Sequence, residues 1–160
     1  MRSIDSEIEQ QAFKRIYLLF GKEHYLLKEN RERLLKALGV TDRKDMNFTL
    51  LSEKDFNVST LISDSDTLPF FADRRVILVE ESGYFKGNKK EKDRLVKYIQ
   101  DIPETTVIVF VESEVDKRDK LYKAVTKNGT AEEFVIGDQN EMLRWIGGRL
   151  SADGIQMRRD

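Results

Sequence analysis

Short uninterrupted apolar runs alternate with longer amphipathic stretches along this chain, and that alternation limits the folds open to it. Val107-Ile108-Val109-Phe110-Val111 is the strongest run. A strand with apolar residues at both alternating positions must be covered on both faces, which is the situation in a parallel sheet flanked by helices. Ile16-Tyr17-Leu18-Leu19-Phe20, bounded by Gly21, and Val76-Ile77-Leu78-Val79 read the same way. Met46–Leu51 is a weaker second strand, and Phe134-Val135-Ile136 ends a fifth.

The intervening stretches carry helical spacing. Leu27, Leu34, Leu35 and Leu38 form one stripe, closed by Gly39. Phe56–Ser65 gives a short helix with Val58, Leu61 and Ile62 on one side. A loop containing Gly83 and Gly87 leads to a helix over Glu91–Gln100, with Leu95, Val96 and Ile99 inward and Pro103 after it. Arg118–Lys127 is a helix stopped by Asn128-Gly129, and Asp138 caps a last one carrying Met142, Leu143, Trp145 and Ile146. The expected architecture is a three-layer α/β/α domain around a mainly parallel five-stranded sheet. Residues 1–137 form that unit, and 138–160 open a second, helical module.

Charge argues against a general nucleic-acid binder: 28 basic residues face 29 acidic ones, for a net charge of −1. The chain has no cysteine, which removes disulfides, thiolate metal sites and a cysteine nucleophile. No apolar run approaches the ~20 residues of a membrane span. Met1–Gln11 is polar and mixed in charge, unlike a secretory signal, so the expected location is cytoplasmic.

In a doubly wound sheet, ligands bind at the carboxyl ends of the strands, and a phosphate loop belongs at the first strand-to-helix turn. That turn reads Phe20-Gly21-Lys22-Glu23-His24-Tyr25. It holds one glycine and no Gly-Lys-Ser/Thr, so too few backbone N–H groups are free to wrap a phosphate. The position is a degenerate, nucleotide-free P-loop, and no cofactor is expected. Glu80-Glu81 stand where nucleotide hydrolases hold a metal, but without a phosphate loop they read as the capped end of a strand. His24 is the lone histidine and reads as a surface or capping residue. Glu112, Glu114, Asp116 and Asp119 alternate with Lys117, Arg118 and Lys120, as on a solvated face laced with ion pairs. No catalytic or metal-ligating set emerges.

The segment that stands apart is Thr67-Leu68-Pro69-Phe70-Phe71-Ala72-Asp73-Arg74-Arg75. Pro69 suits the first turn of a short helix, on which Phe70 and Phe71 would form one broad wedge. In extended backbone they would point to opposite sides. The rings either seal the edge of the sheet or plug a partner's pocket. Burying two Phe side chains is worth roughly 3–6 kcal/mol, against an association cost of about 4–15 kcal/mol. An interface would therefore need a polar rim, for which Asp73, Arg74, Arg75 and Lys86 are candidates.

Tyr17-Leu18-Leu19-Phe20-Gly21 with Glu23-His24-Tyr25-Leu26-Leu27 resembles the opening of the delta subunit of the bacterial DNA polymerase III clamp loader. Thr67–Val79 is similar to that family's next segment. Val107–Val111, Asp116-Lys117-Arg118 and Lys120-Leu121-Tyr122-Lys123 continue the likeness, which ends with the Trp145-Ile146 helix. The resemblance implies an AAA+-like (RecA-type) first domain without a phosphate loop. It implies a non-catalytic subunit, any polymerase activity belonging to the complex, whose sliding-clamp contact falls on Leu68, Pro69, Phe70 and Phe71, in a short helix ending in a hydrophobic pair. The implied partners are the sliding clamp and the other clamp-loader subunits, with primed DNA reached indirectly and no membrane involved. A helical lid and a collar domain would follow in full-length members. The alternatives are a divergent P-loop-type nucleotide hydrolase and a DNA-binding module using Lys86, Lys89, Lys90, Lys92 and Arg94.

Overall fold

Ile16, Leu18 and Phe20 pack on one face of the sheet while Tyr17 and Leu19 pack on the other, so the first apolar run is buried from both sides. A computed structural model describes residues 3–135. Its elements run α1 (Ser3–Gln10), β1 (Ile16–Gly21), α2 (His24–Ala37), β2 (Phe48–Leu51), α3 (Val58–Ser65) and β3 (Arg75–Glu80). They continue with α4 (Lys92–Tyr98, prolonged by a 3-10 turn at Ile99–Asp101), β4 (Thr106–Glu112), α5 (Lys120–Asn128) and β5 (Thr130–Phe134). The sheet order is β2-β3-β4-β1-β5, and every pairing is parallel. Ile16 stands opposite Ile108, and Val76 stands between Phe48 and Val107. The helix expected from Asp138 onward lies outside the described residues.

Two apolar layers hold the sheet. Val58 and Leu61 of α3, Leu95 of α4 and Leu121 and Val125 of α5 pack on one face, around Phe85 and Phe110. Ile4 of α1 and Leu26, Leu27, Leu34 and Leu35 of α2 pack on the other. Each such fully buried side chain contributes roughly 1.5–3 kcal/mol from lost apolar exposure. The α/β/α layering expected from the apolar runs is therefore present. Gly129, which ends α5, has no room for a side chain: a Cβ there would overlap the Ile16 carbonyl oxygen.

Helix α1 was not anticipated, since Met1–Gln11 reads as merely polar. It docks through buried Ile4 and through Glu7, whose carboxylate accepts from the Tyr17 hydroxyl at 2.6 Å and from the Thr130 hydroxyl at 2.7 Å. Burial and the adjoining Glu7 carboxylate hold the Tyr17 phenol well above its usual range. Spacing Ile4 and Ile8 four residues apart is the signal that could have revealed this helix.

Candidate partner-binding site

Between α3 and β3 the chain leaves regular structure. Asn57 starts α3 by accepting from the Thr60 N–H at 2.8 Å, and the helix closes at Asp66. The segment 66–74 that follows consists of turns and bends, so Pro69 does not open a helix, contrary to expectation; the helix lies before it. The two aromatic rings are brought together by another route. Phe71 adopts φ +51°, in the left-handed region that bulky side chains rarely enter. That reversal sets the Phe70 and Phe71 rings edge to face, with centroids 4.5 Å apart at 72°.

Leu68 is 75% exposed, Phe70 56% and Phe71 94%, with half-buried Pro69 between them. These rings do not seal the sheet. Their anchorage is polar: the Asn47 side chain accepts from the Phe70 N–H at 2.6 Å and donates to the Phe70 carbonyl at 2.8 Å. Met46, beside it in sequence, is also exposed.

The four rim candidates separate. Asp73 is exposed. The Arg74 guanidinium stacks 4.9 Å over the Phe13 ring, and both Asp73 and Arg74 line a cleft of about 300 Å³ shared with Leu38, Asn47 and Phe48. Arg75 is withdrawn from any rim. It is buried, and it donates to the carbonyls of Asp64 and Met46 at 3.0 and 3.1 Å while pairing with the Asp64 carboxylate. It thus ties the end of α3 to the turn before β2. Lys86 sits beyond the carboxyl end of β3, whereas the aromatic segment precedes the amino end of that strand. Its ammonium pairs with Glu114 at 2.6 Å, so it cannot border the aromatic pair.

At the opposite end of the sheet, the first strand-to-helix turn is closed by protein groups. Gly21 has φ +131°, and a Cβ there would overlap the Phe134 carbonyl oxygen. That carbonyl accepts from the Glu23 N–H at 3.0 Å, and the Glu23 carboxylate accepts from the Tyr25 N–H at 3.1 Å. Two N–H groups at the start of α2, where a phosphate would be cradled, are already engaged, and a carboxylate stands among them.

The acidic residues at the end of β4 and beyond it do not share one solvated face. Glu112 is only 1% exposed; its carboxylate accepts from the Ser82 N–H and hydroxyl and from the Gly83 N–H at 2.9–3.0 Å. Burial pushes its pKa up to about 7, although those three bonds oppose the rise. Asp119 caps α5 and pairs with Lys92 at 2.6 Å, both side chains nearly enclosed. Glu80 pairs with Arg31, and the Glu81 carboxylate accepts from the Ser113 hydroxyl. Among the described residues, no group of three or more His, Asp or Glu side chains is placed to hold a metal ion.

The basic run likewise breaks up. Lys92 is buried, Lys86 pairs with Glu114, and Arg94 donates to Ser59 and Glu91. Lys89 and Lys90 remain exposed. Sequence reasoning missed Asn47 and took Glu112 for part of a solvated face; the polar atoms of both acquire their roles from residues 23 and 30 positions away.

The family model for the DNA polymerase III delta subunit matches residues 17–134. DNA polymerase III subunit delta of Bacillus subtilis is 31% identical over 121 residues, which cover 71% of this chain and 35% of that protein. The solved Bacillus subtilis DNA clamp loader delta protein superposes with a TM-score of 0.76 at 26% identity, over 94% of this chain and 47% of that one. A gamma subunit-related protein of DNA polymerase III from Thermotoga maritima shares the fold, with a TM-score of 0.59 at 13% identity over 93% of this chain and 52% of its own. The chain spans less than half the length of either delta relative. The layering is AAA+-like. With the match running from the first strand to the last described one, the chain belongs to the DNA polymerase III delta subunit family.

Proposed function

We propose that this chain is the clamp-binding module of a clamp-loader delta subunit, which docks on the ring-shaped sliding clamp and helps to open it during DNA replication. The observation that carries this reading is the exposure of Phe70 and Phe71 as one edge-to-face pair in a delta-family chain, with exposed Leu68 beside them. Adjacent aromatics held outside a core suit a partner's apolar pocket, where such anchors dominate binding energy. Asp73 and Arg74 supply polar groups at the border.

The action requires no chemistry in this chain. A ligand that binds the open-competent shape of the ring better than the closed shape shifts the ring toward opening. The module is non-catalytic, with nucleotide hydrolysis left to neighbouring clamp-loader subunits in the cytoplasm. The docking domain is the α/β/α unit formed by the described residues. Primed DNA is reached through the assembled loader.

The test is equilibrium binding of this chain to an immobilised bacterial sliding clamp, with and without Phe70→Ala plus Phe71→Ala. Binding that the double change abolishes supports the reading. Undiminished binding by the variant would remove the pair from the interface. Calorimetry with ATP and magnesium addresses the hydrolase alternative, for which tight binding would count.

A further inference from the structure

The aromatic pair must be presented by something, and the surrounding structure offers little. Among the described residues, Leu68–Arg74 are held by two hydrogen bonds, both joining the Asn47 side chain to Phe70. Both polar atoms of one carboxamide engage the N–H and the carbonyl of a single residue, at 2.6 and 2.8 Å. Asn47 thereby acts as a strand neighbour would, using its side chain in place of backbone.

Its own position is fixed independently. The Asn47 N–H donates to the Asp45 carboxylate at 2.7 Å, and its carbonyl accepts from the Val76 N–H at 2.9 Å. Arg75 holds the preceding Met46 carbonyl and the end of α3 together. The carboxamide therefore extends from a rigid base at the amino end of the sheet to a segment that is otherwise loosely held.

The backbone of that segment also needs restraint. Phe71 has φ +51° and is 94% exposed, so its own side chain does almost nothing to hold it in a disfavoured conformation. Such a conformation persists only where neighbouring groups over-determine it. The neighbour fixed on both polar atoms is Phe70, and the fixing group is Asn47.

We propose that Asn47 is a positioning residue that pre-forms the Phe70–Phe71 pair in the free protein, so that docking on the clamp does not have to pay for ordering it. This inference rests on the function proposed above. Asparagine is the residue type that fits. Aspartate would keep the acceptor for the Phe70 N–H but set a carboxylate against the Phe70 carbonyl. Serine is shorter and would have to meet both groups through a single oxygen, and glutamine would displace both contacts by one carbon.

The test compares the wild-type chain with Asn47→Ala, Asn47→Asp and Phe70→Ala plus Phe71→Ala. The readouts are clamp affinity, melting temperature and amide hydrogen exchange at Phe70. Two net hydrogen bonds correspond to about a ten-fold shift in the population of the ordered segment. Asn47→Ala should weaken clamp binding by up to about ten-fold, speed exchange at the Phe70 amide by up to about as much, and lower the melting temperature by no more than about 5 °C. Asn47→Asp should fall between alanine and wild type. A merely structural asparagine would lower the melting temperature without selectively exposing that amide. Unchanged exchange at Phe70 in Asn47→Ala overturns the inference, whatever the clamp does. Unchanged affinity in Asn47→Ala, with binding lost in the aromatic double variant, overturns it while leaving the proposed function intact. Binding retained in the aromatic double variant would instead dismiss the docking reading itself.

Discussion

Replacing Phe70 and Phe71 by alanine should act on binding far more than on folding, and the structure sets the ratio. Full burial of a phenylalanine is worth roughly 1.5–3 kcal/mol. Phe71 is 94% exposed, so the fold gains almost nothing from it; Phe70, 56% exposed, contributes less than half of that range. The ring–ring contact adds about 0.5–1.5 kcal/mol. The double change should therefore cost the fold about 1–3 kcal/mol, a fall of about 2–12 °C in melting temperature for a domain of this size. If both rings become enclosed in a partner's pocket, the area still exposed amounts to about one and a half rings, so the loss on the binding side is roughly 2–4.5 kcal/mol. That corresponds to about forty-fold to two-thousand-fold in affinity. A thermal melt and an equilibrium titration against a sliding clamp, run on the same preparations, measure both sides. The single changes divide the effect: each removes the ring–ring contact, beyond which Phe71→Ala should fall on binding alone and Phe70→Ala on both. A fall of more than about 15 °C, or an affinity loss under ten-fold, would show that exposure had been misread as function.

Other perturbations probe the framework. Lys92→Ala strands the enclosed Asp119 carboxylate and should cost about 3–5 kcal/mol in urea denaturation. Adding Asp119→Asn, which keeps the cap on α5 while removing the orphaned charge, should recover part of that loss. Gly21→Ala should destabilise by about 3 kcal/mol or more, because its Cβ meets the Phe134 carbonyl and its φ is +131°. Glu112 titrates near 4.5 when unfolded and at about 7 when folded, so between those values the native state keeps a proton that the unfolded chain has lost. Its contribution should thus be fully present below pH 4.5, decline as pH rises to about 7 and stay level above that. The decline amounts to roughly 3 kcal/mol. Urea denaturation at pH 5 and pH 8 should show it in wild type and not in Glu112→Gln; equal slopes in both would refute the assignment.

The runs that became β1, β3 and β4 were legible because a doubly buried strand has no polar face to confuse the pattern. The leucine stripe of α2 was legible because its period is helical and Gly39 ends it. Polar residues were harder to read. Glu112 and Lys92 each belong to a stretch rich in charged residues, and nothing local distinguishes a carboxylate that will meet the Ser82 loop or an ammonium that will meet Asp119. Helix α1 hides its two isoleucines among charges. The aromatic segment was recognised by composition and misjudged in conformation: Pro69 and the adjacent rings suit a helix, yet the pair is gathered by a reversed φ at Phe71 and by an asparagine 23 positions earlier in the chain. Propensity carries no record of a restraint that comes from another loop.

The aromatic pair precedes β3 and the closed turn at Gly21 follows β1, so the two features occupy opposite rims of one slab. Strand β3, at six residues, separates them by about 20 Å. A parallel sheet packed on both faces neither stretches nor shears appreciably under small loads. A load applied at the Gly21 rim would reach the Phe71 rim as tilt of the entire slab, with leverage set by strand length.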